Sequence, residues 1–405
     1  MRKFPRLATA CAAISLGAGS ISACGTGEPS PTIGIDRAPA GLQRIVGNRP
    51  AAATEFSEVF VCAAPPDTTD PNFGDLPLRL SLDPAAIAAQ MNDNVTPYFE
   101  QLSNEHYRPT FVGGQTLTMT KDETHDQCVE RAIDASSVDT AVVMVVANAE
   151  NVAGAAGGWG RPGEPCRFGF CPAAQTRRAL FVGASDFHPD WGAIPLLDLI
   201  EHEIGHTLDL PHSGDGNLTE NQHASALDVM SNSAAPREMA EAANGTPTDR
   251  STERKNGQDT LAIDRLSLGW LPLDDVAIVS EHGGEFNLSP SFDTNGLRML
   301  VLPDEDNGEV FLTVEHLAAT GFDDFLPESG LTVHRIDQRP TACDRATTDP
   351  SPCTGVSRAQ IALGSPDPHT DLLDQVGDSW NLDGWTITVR STGALLGVEV
   401  RPTER

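Results

Sequence analysis

The sequence predicts an α+β fold: a twisted mixed sheet with long helices, followed by a small all-β module. Three observations carry that expectation. β-prone runs at Phe56 to Cys62 and Thr140 to Ala147 enclose a helical apolar period between Asp83 and Asn104. A second helical period, Leu197, Ile200, Ile204 and Leu208, falls in the middle of the chain. From Ala277 onward short strand candidates alternate with Gly, Asn and Asp turns.

The chain has 405 residues, enough for two or three domains and a sizeable core. With 57 acidic against 27 basic residues, its formal charge is −30. That balance repels phosphate backbones and anionic lipid, so it argues against nucleic-acid partners and charge-driven membrane adhesion while favouring solubility and cation binding.

The N-terminus stands outside the globule. Arg2, Lys3 and Arg6 precede a mildly apolar stretch, Leu7 to Gly19, too short to span a bilayer, and Ile21-Ser22-Ala23 sets small residues ahead of Cys24. This resembles a bacterial lipoprotein signal and lipobox. The resemblance implies removal of residues 1–23, lipidation of Cys24 and a place on the outer face of the cell membrane. A cleaved secretory signal with an incidental Cys24 is the alternative, and both export the chain. Loss of three basic residues takes the charge from −30 to −33. Residues 24–54, rich in Gly, Pro, Ser, Thr and Ala, read as a flexible tether or a short propeptide.

Of the eight cysteines, Cys11 leaves with the signal and Cys24 is the anchor. An even remainder in an exported chain reads as disulfides. Spacing favours Cys166–Cys171 and Cys343–Cys353, leaving Cys62–Cys128, among about 15 possible connectivities.

Residues 55–272 are expected to form the first domain, with Phe56 to Cys62 as its opening strand. Asp83 and Pro84 suit the N-cap and first turn of a helix reaching about Asn104, with Ile87, Met91, Val95 and Phe99 on one apolar face. Pro97 is expected to kink or interrupt it. Pro109 to Thr120 reads as a strand, Asp126 to Ala135 as a helix, and Thr140 to Ala147 and Leu180 to Ala184 as buried strands. The glycine-rich run Gly154 to Gly163 lacks the G-x-x-x-x-G-K pattern of a phosphate cradle. Residues 273–405 read as the β-rich module, with strand candidates at Ala277 to Leu288, Arg298 to Leu302, Val310 to Glu315, Gly330 to Arg335, Trp385 to Val389 and Leu395 to Val400. Within it, Asp304-Glu305-Asp306-Asn307-Gly308 offers the hard oxygen ligands that calcium (Ca2+) takes; a solvated hairpin turn is the alternative, since no full calcium loop follows.

Residues 201–213 read EHEIGHTLDLPHS. His202 and His206 lie four apart, so a helix brings both imidazoles to one face within reach of a single zinc ion (Zn2+). Glu203 can then approach a zinc-held water without being a ligand, which suits a general base. His212 supplies the third ligand and leaves the fourth position open, as in catalytic zinc sites. It cannot share the helix face, so the chain must turn sharply near Asp209, with Pro211 stiffening the turn.

This arrangement resembles the metzincin zinc metallopeptidases, whose motif is H-E-x-x-H-x-x-G-x-x-H. Asp209 stands where that family has glycine, at a bend needing a left-handed backbone; Asp is among the residues that tolerate it best. Leu227-Asp228-Val229-Met230-Ser231 is similar to the family's methionine turn, with Met230 as the floor beneath the zinc. Asn232 occupies the position where some metzincins carry a tyrosine. His223 reads as a surface or loop histidine, or at most one at the cleft rim. Further on, IDRLSLGWL (Ile263 to Leu271) and Glu309 to Asp337 are similar to the region after the zinc site in immune inhibitor A-like and gametolysin-like peptidases.

The resemblance implies a zinc-dependent endopeptidase, acting as a monomer on protein or peptide substrates and touching the membrane only through its lipid anchor. Two other classes compete. One is a surface lipoprotein that holds zinc without hydrolysis, suggested by Asp209 and the missing tyrosine. The other is a metal-binding transport lipoprotein, which would draw its ligands from distant segments rather than from residues 202–212.

Overall fold

The computed structural model describes residues 30–47, 53–66, 69–70, 74–75, 79–149, 158–163, 176–187, 191, 193–214, 223–244, 255–339, 357–361 and 370–403. The expected signal and Cys24, Cys166, Cys171, Cys343 and Cys353 lie outside them. Residues Pro31–Arg405 make one compact unit of mixed α and β structure, with several mixed sheets and few helices, consistent with the α+β expectation. Among the described residues no helix is long and apolar enough to cross a membrane.

In chain order come β1 (Thr32–Ile33), α1 (Ala40–Gly47), β2 (Thr54–Ala63), the short pair β3 (Thr69–Asp70) and β4 (Gly74–Asp75), α2 (Pro84–Leu102) and β5 (Arg108–Thr118). Then follow α3 (His125–Ala135), β6 (Val142–Ala147), β7 (Trp159–Arg161), β8 (Arg178–Val182) and α4 (Leu197–Thr207). A five-stranded sheet has the order β5-β2-β6-β8-β7, parallel except for the antiparallel edge strand β7. Every residue of β6 is buried, because helices cover both faces of the sheet. Val142, Met144 and Val146 pack with α2 and α4, whereas Val143 and Val145 pack with α3 on the other face.

Helix α2 begins as expected: the Asp83 side chain accepts from the Ala85 N–H, and Ile87, Met91, Val95 and Phe99 are buried. Pro97 does not interrupt it. Its missing N–H deprives only the Asp93 carbonyl, and both residues lie on the exposed side, where that carbonyl is open to solvent. Cys62 of β2 and Cys128 of α3 form the expected disulfide, with both residues buried and their Cα atoms 6.2 Å apart.

The remaining elements are β9 (Ser213–Gly214), α5 (Ala235–Asn244), α6 (Ala262–Ser267), β10 (Val276–Val279), β11 (Gly284–Leu288), β12 (Met299–Pro303) and β13 (Val310–Leu317). The chain ends through β14 (Gly330–Asp337), β15 (Ser357–Gln360), β16 (Ser379–Leu382), β17 (Trp385–Ser391) and β18 (Leu396–Pro402). A seven-stranded sheet, β1-β10-β12-β13-β14-β15-β9, shares an apolar core with a four-stranded sheet, β11-β18-β17-β16. Its other face, through Ile278, Met299, Val301, Phe311 and Ile336, is covered by α1 and α6.

Two features depart from the expected organisation. Part of the segment read as a tether is folded: β1 pairs with β10, and α1 buries Leu42 and Ile45 against the seven-stranded sheet. An apolar stripe in Ala40–Gly47 was hidden by the segment's small-residue composition. The β-rich module is also not self-contained, because β9, the strand immediately after His212, joins the module's sheet by pairing with β15. In the turn between β12 and β13, Asp304 Oδ1 accepts from the Asp306 and Asn307 N–H groups, so this oxygen, offered above for calcium, is engaged by the turn's own backbone.

The Cys62–Cys128 bridge closes a separation of 66 residues. Replacing both by alanine is expected to lower stability by about 4 kcal/mol, the loop-closure contribution for that length. The drop is read from the urea midpoint under oxidising conditions; an unchanged midpoint would count against the bridge.

Candidate metal centre

Helix α4 turns Leu197, Ile200 and Ile204 into the core shared with β6 and β8, which fixes the helix against the sheet and presents His202 and His206 one turn apart. Asp198 in its first turn accepts from Arg237 Nη2 at 3.0 Å, a carboxylate placed at the positive end of the helix.

The helix stops in a six-residue bend. Asp209 adopts φ 68°, the Asp209 N–H donates to the His206 carbonyl at 3.0 Å, and the Leu210 N–H reaches back to the Gly205 carbonyl at 3.0 Å. These are the paired bonds of a Schellman cap, here with aspartate in the left-handed position. The bend reverses the chain at once, so that His212 returns to the helix. Its Nε2 lies 2.9 Å from His206 Nε2, which in turn lies 3.0 Å from His202 Nε2.

Backbone carbonyls set the ring tautomers. His202 Nδ1 lies 2.7 Å from the Val229 carbonyl and His206 Nδ1 lies 2.8 Å from the Leu210 carbonyl. A carbonyl only accepts, so each Nδ1 carries the proton and each Nε2 presents its lone pair inward. Burial, reinforced by the neighbouring His206 and His212, holds His202 well below the usual imidazole range, which keeps it neutral. Converging imidazole nitrogens at this spacing could hold a divalent metal ion that takes nitrogen ligands.

Met230 is fully buried beneath the helix. A Cβ at Gly205 would overlap its Sδ atom, so the glycine inside H-E-x-x-H is what lets the sulfur lie against the helix backbone. The turn carrying Met230 is tied down by Asp228, which accepts from the Met230 N–H at 3.1 Å, from Thr260 Oγ1 at 3.1 Å and from the Ser213 hydroxyl. Burial, with the adjacent Asp264 carboxylate adding to it, pushes Asp228 up to about 7. Glu201, on the far side of the helix, is pushed up by burial while accepting from the Gly257 N–H at 2.7 Å.

Glu203 brings its carboxylate within 4.8 Å of donor atoms of His202 and His206. Edge strand β7 and the residue before it run against the helix: a Cβ at Gly158, just ahead of the strand, would meet Glu203 Cγ at 3.1 Å, and one at Gly160 would meet His206 Cβ at 2.9 Å. The glycines of this otherwise uninformative run therefore permit strand and helix to touch. Among the described residues no further strand pairs with the outer edge of β7.

All four sequence-predicted residues, His202, Glu203, His206 and His212, thus come together above Met230. The structure adds one that the sequence reading left on the surface. His223 is exposed, yet its ring centroid is 4.4 Å from that of His212, and donor atoms of His202, His212 and His223 all lie within 4.8 Å of one another. Nothing in its spacing distinguishes it, because its place is set by the fold of the turn rather than by a helical period. Asn232 sends its side-chain amide to Glu238 at 3.0 Å. No protein-family model and no curated protein matches the chain.

Two substitutions test the backbone devices. Asp209→Gly is expected to raise stability by up to about 1 kcal/mol and Asp209→Val to lower it by about 1–2 kcal/mol, as a left-handed position requires. Thermal melts of the pair check this; equal effects would contradict the bend. Gly205→Ala is expected to displace Met230, lowering stability by about 1–3 kcal/mol through overpacking and weakening zinc binding in a competition titration with a chromophoric chelator.

Proposed function

We propose that this chain is an exported, zinc-dependent endopeptidase of the metzincin kind, held at the outer face of a bacterial membrane by a lipid on Cys24. The observation that carries the reading is the convergence of three imidazole nitrogens beside a carboxylate that lies within 4.8 Å of two of them. His202, His206 and His212 would hold the ion, and bound zinc supplies a Lewis acid that makes a water acidic and polarises a carbonyl.

The chain's own residues account for the rest of the hydrolysis. Glu203 takes the proton of the attacking water and returns one to the departing amine, so the carboxylate ends as it began. An extended peptide can add its backbone to the edge of β7 that no described strand occupies, which brings a scissile bond past Glu203 without any need for a deep pocket. That edge geometry favours polypeptide over a small ester or amide. The Cys62–Cys128 bridge supports an oxidising compartment.

A second reading has its own observation. The nearness of His223 would suit a centre closed by four nitrogens in a surface protein that binds zinc without hydrolysis. Hydrolysis separates the two. Residues 25–405 are expected to carry one zinc per chain and to cleave casein or gelatin, and Glu203→Ala to keep the zinc while losing activity by about 10²–10⁴-fold, the scale of general-base catalysis. Activity unchanged in Glu203→Ala would remove the assignment of the base, and zinc without cleavage in the native chain would favour the second reading.

A further inference from the structure

We propose that His223 is a fourth nitrogen ligand of the same centre. In the resting protein it occupies the position that hydrolysis needs open, and it leaves when substrate enters. This rests on the metal-centre reading above and goes beyond it, because the expected ligand set ends at His212.

The His223 ring centroid lies 4.4 Å from that of His212 and 5.8 Å from that of His202, against 4.7 Å for His202 and His206 and 4.5 Å for His206 and His212. Two imidazole nitrogens on one tetrahedral zinc stand about 3.4 Å apart, and the donor atoms of His202, His212 and His223 already lie within 4.8 Å of one another. His223 stands on the His202 and His212 side of the cluster, and completing the four-nitrogen set requires its ring to move toward His206.

The ring is also backed in the same way as that of His202. His202 Nδ1 turns to the carbonyl of Val229; His223 Nδ1 turns to the carbonyl of Ser231, two residues further along the same methionine turn, at 3.4 Å. The same orientation that frees the Nε2 lone pair of His202 therefore applies to His223. Its turn is bound to that floor as well. The Ser225 N–H donates to Ser231 Oγ at 3.0 Å and the Asn232 N–H to the Ser225 carbonyl at 3.1 Å, while the Ser225 hydroxyl reaches Gln360 of β15. His223 is thus held near the centre by backbone although its side chain is exposed.

Exposure distinguishes the ligand that leaves. His202 is only 4% exposed and its backing contact is 2.7 Å, whereas His223 is exposed and its backing contact is 3.4 Å. Of the four, His223 has the least packing to lose on swinging into water.

The test uses residues 25–405, which retain the whole compact unit, loaded with one equivalent of zinc. Zinc-edge X-ray absorption, which counts imidazoles by their ring scattering, is expected to give four in the native chain and three in His223→Ala. The same substitution should lower zinc affinity by at least about tenfold, the scale on which even partners outside the ligand shell act. Acetohydroxamate, a small bidentate zinc chelator, should bind the zinc-loaded His223→Ala variant more tightly than the native protein, since it no longer has to displace a ring. Far-ultraviolet circular dichroism verifies that the variant is folded, and native absorption data alone decide the count if it is not. Three imidazoles in both proteins would overturn the proposal and leave the three-histidine centre standing. No bound zinc, or binding indifferent to His202→Ala, would instead overturn the centre itself.

Discussion

Histidine offers a metal its electron pair on one nitrogen only when the other carries the proton, and that proton needs an acceptor. In this chain the acceptors are backbone carbonyls that no helix can supply to its own side chains. Leu210 provides one because the Asp209 bend ends α4 abruptly, and Val229 provides another because the methionine turn passes beneath it. The same bend sends His212 back toward the helix. Local backbone geometry at one left-handed residue therefore decides both the tautomer of His206 and the arrival of the third ring.

Beneath this centre lies a buried polar layer. Arg265 is 1% exposed and donates to the carbonyls of Leu102 at 3.1 Å and Thr260 at 2.8 Å, and to Asp259 Oδ1 at 2.5 Å. The Asp259 carbonyl in turn accepts from the Val229 N–H at 3.0 Å, and Asp259's own N–H donates to Asp323. Arg358 of β15 meets Asp264 at 2.9 Å, and Glu315 of β13 accepts from the Ala262 N–H at 3.0 Å. Burial pushes Glu315 up to about 8, so this carboxyl is neutral at neutral pH and adds no uncompensated charge to the layer. One cation thus ties α2, α6 and the methionine turn together, which is how a floor made of loop holds its shape.

What the sequence revealed of all this follows from how local each signal is. The Asp83-Pro84 start of α2, the buried run of β6, the spacing of His202 and His206 and the tolerance of Asp209 for a left-handed bend depend on residues within a turn or two of each other, and they were legible. Pro97 does not interrupt the helix, because a proline's cost depends on which side of the helix meets water. The helix Ala40–Gly47 was concealed by composition, since a stripe of few apolar residues in a Gly- and Ala-rich stretch resembles a linker until the sheet it covers exists. His223 and the pairing of Ser213–Gly214 with β15 depend on contacts across more than a hundred residues of chain or on the fold of an irregular turn, and no periodicity encodes either.

That last pairing governs the order in which the centre can come into being. The residues directly after His212 are an edge of a sheet whose neighbouring strand is Ser357–Gln360, and the turn under the histidine cluster is laced to the same strand through Ser225 and Gln360. During synthesis the histidines emerge more than a hundred residues before their support does. A nascent or prematurely ended chain therefore carries the histidines without the scaffold that aligns them, and the cluster closes only late in maturation. If the proposed activity holds, a centre assembled in that order would stay silent while the rest of its own polypeptide is still unfolded and open to cleavage.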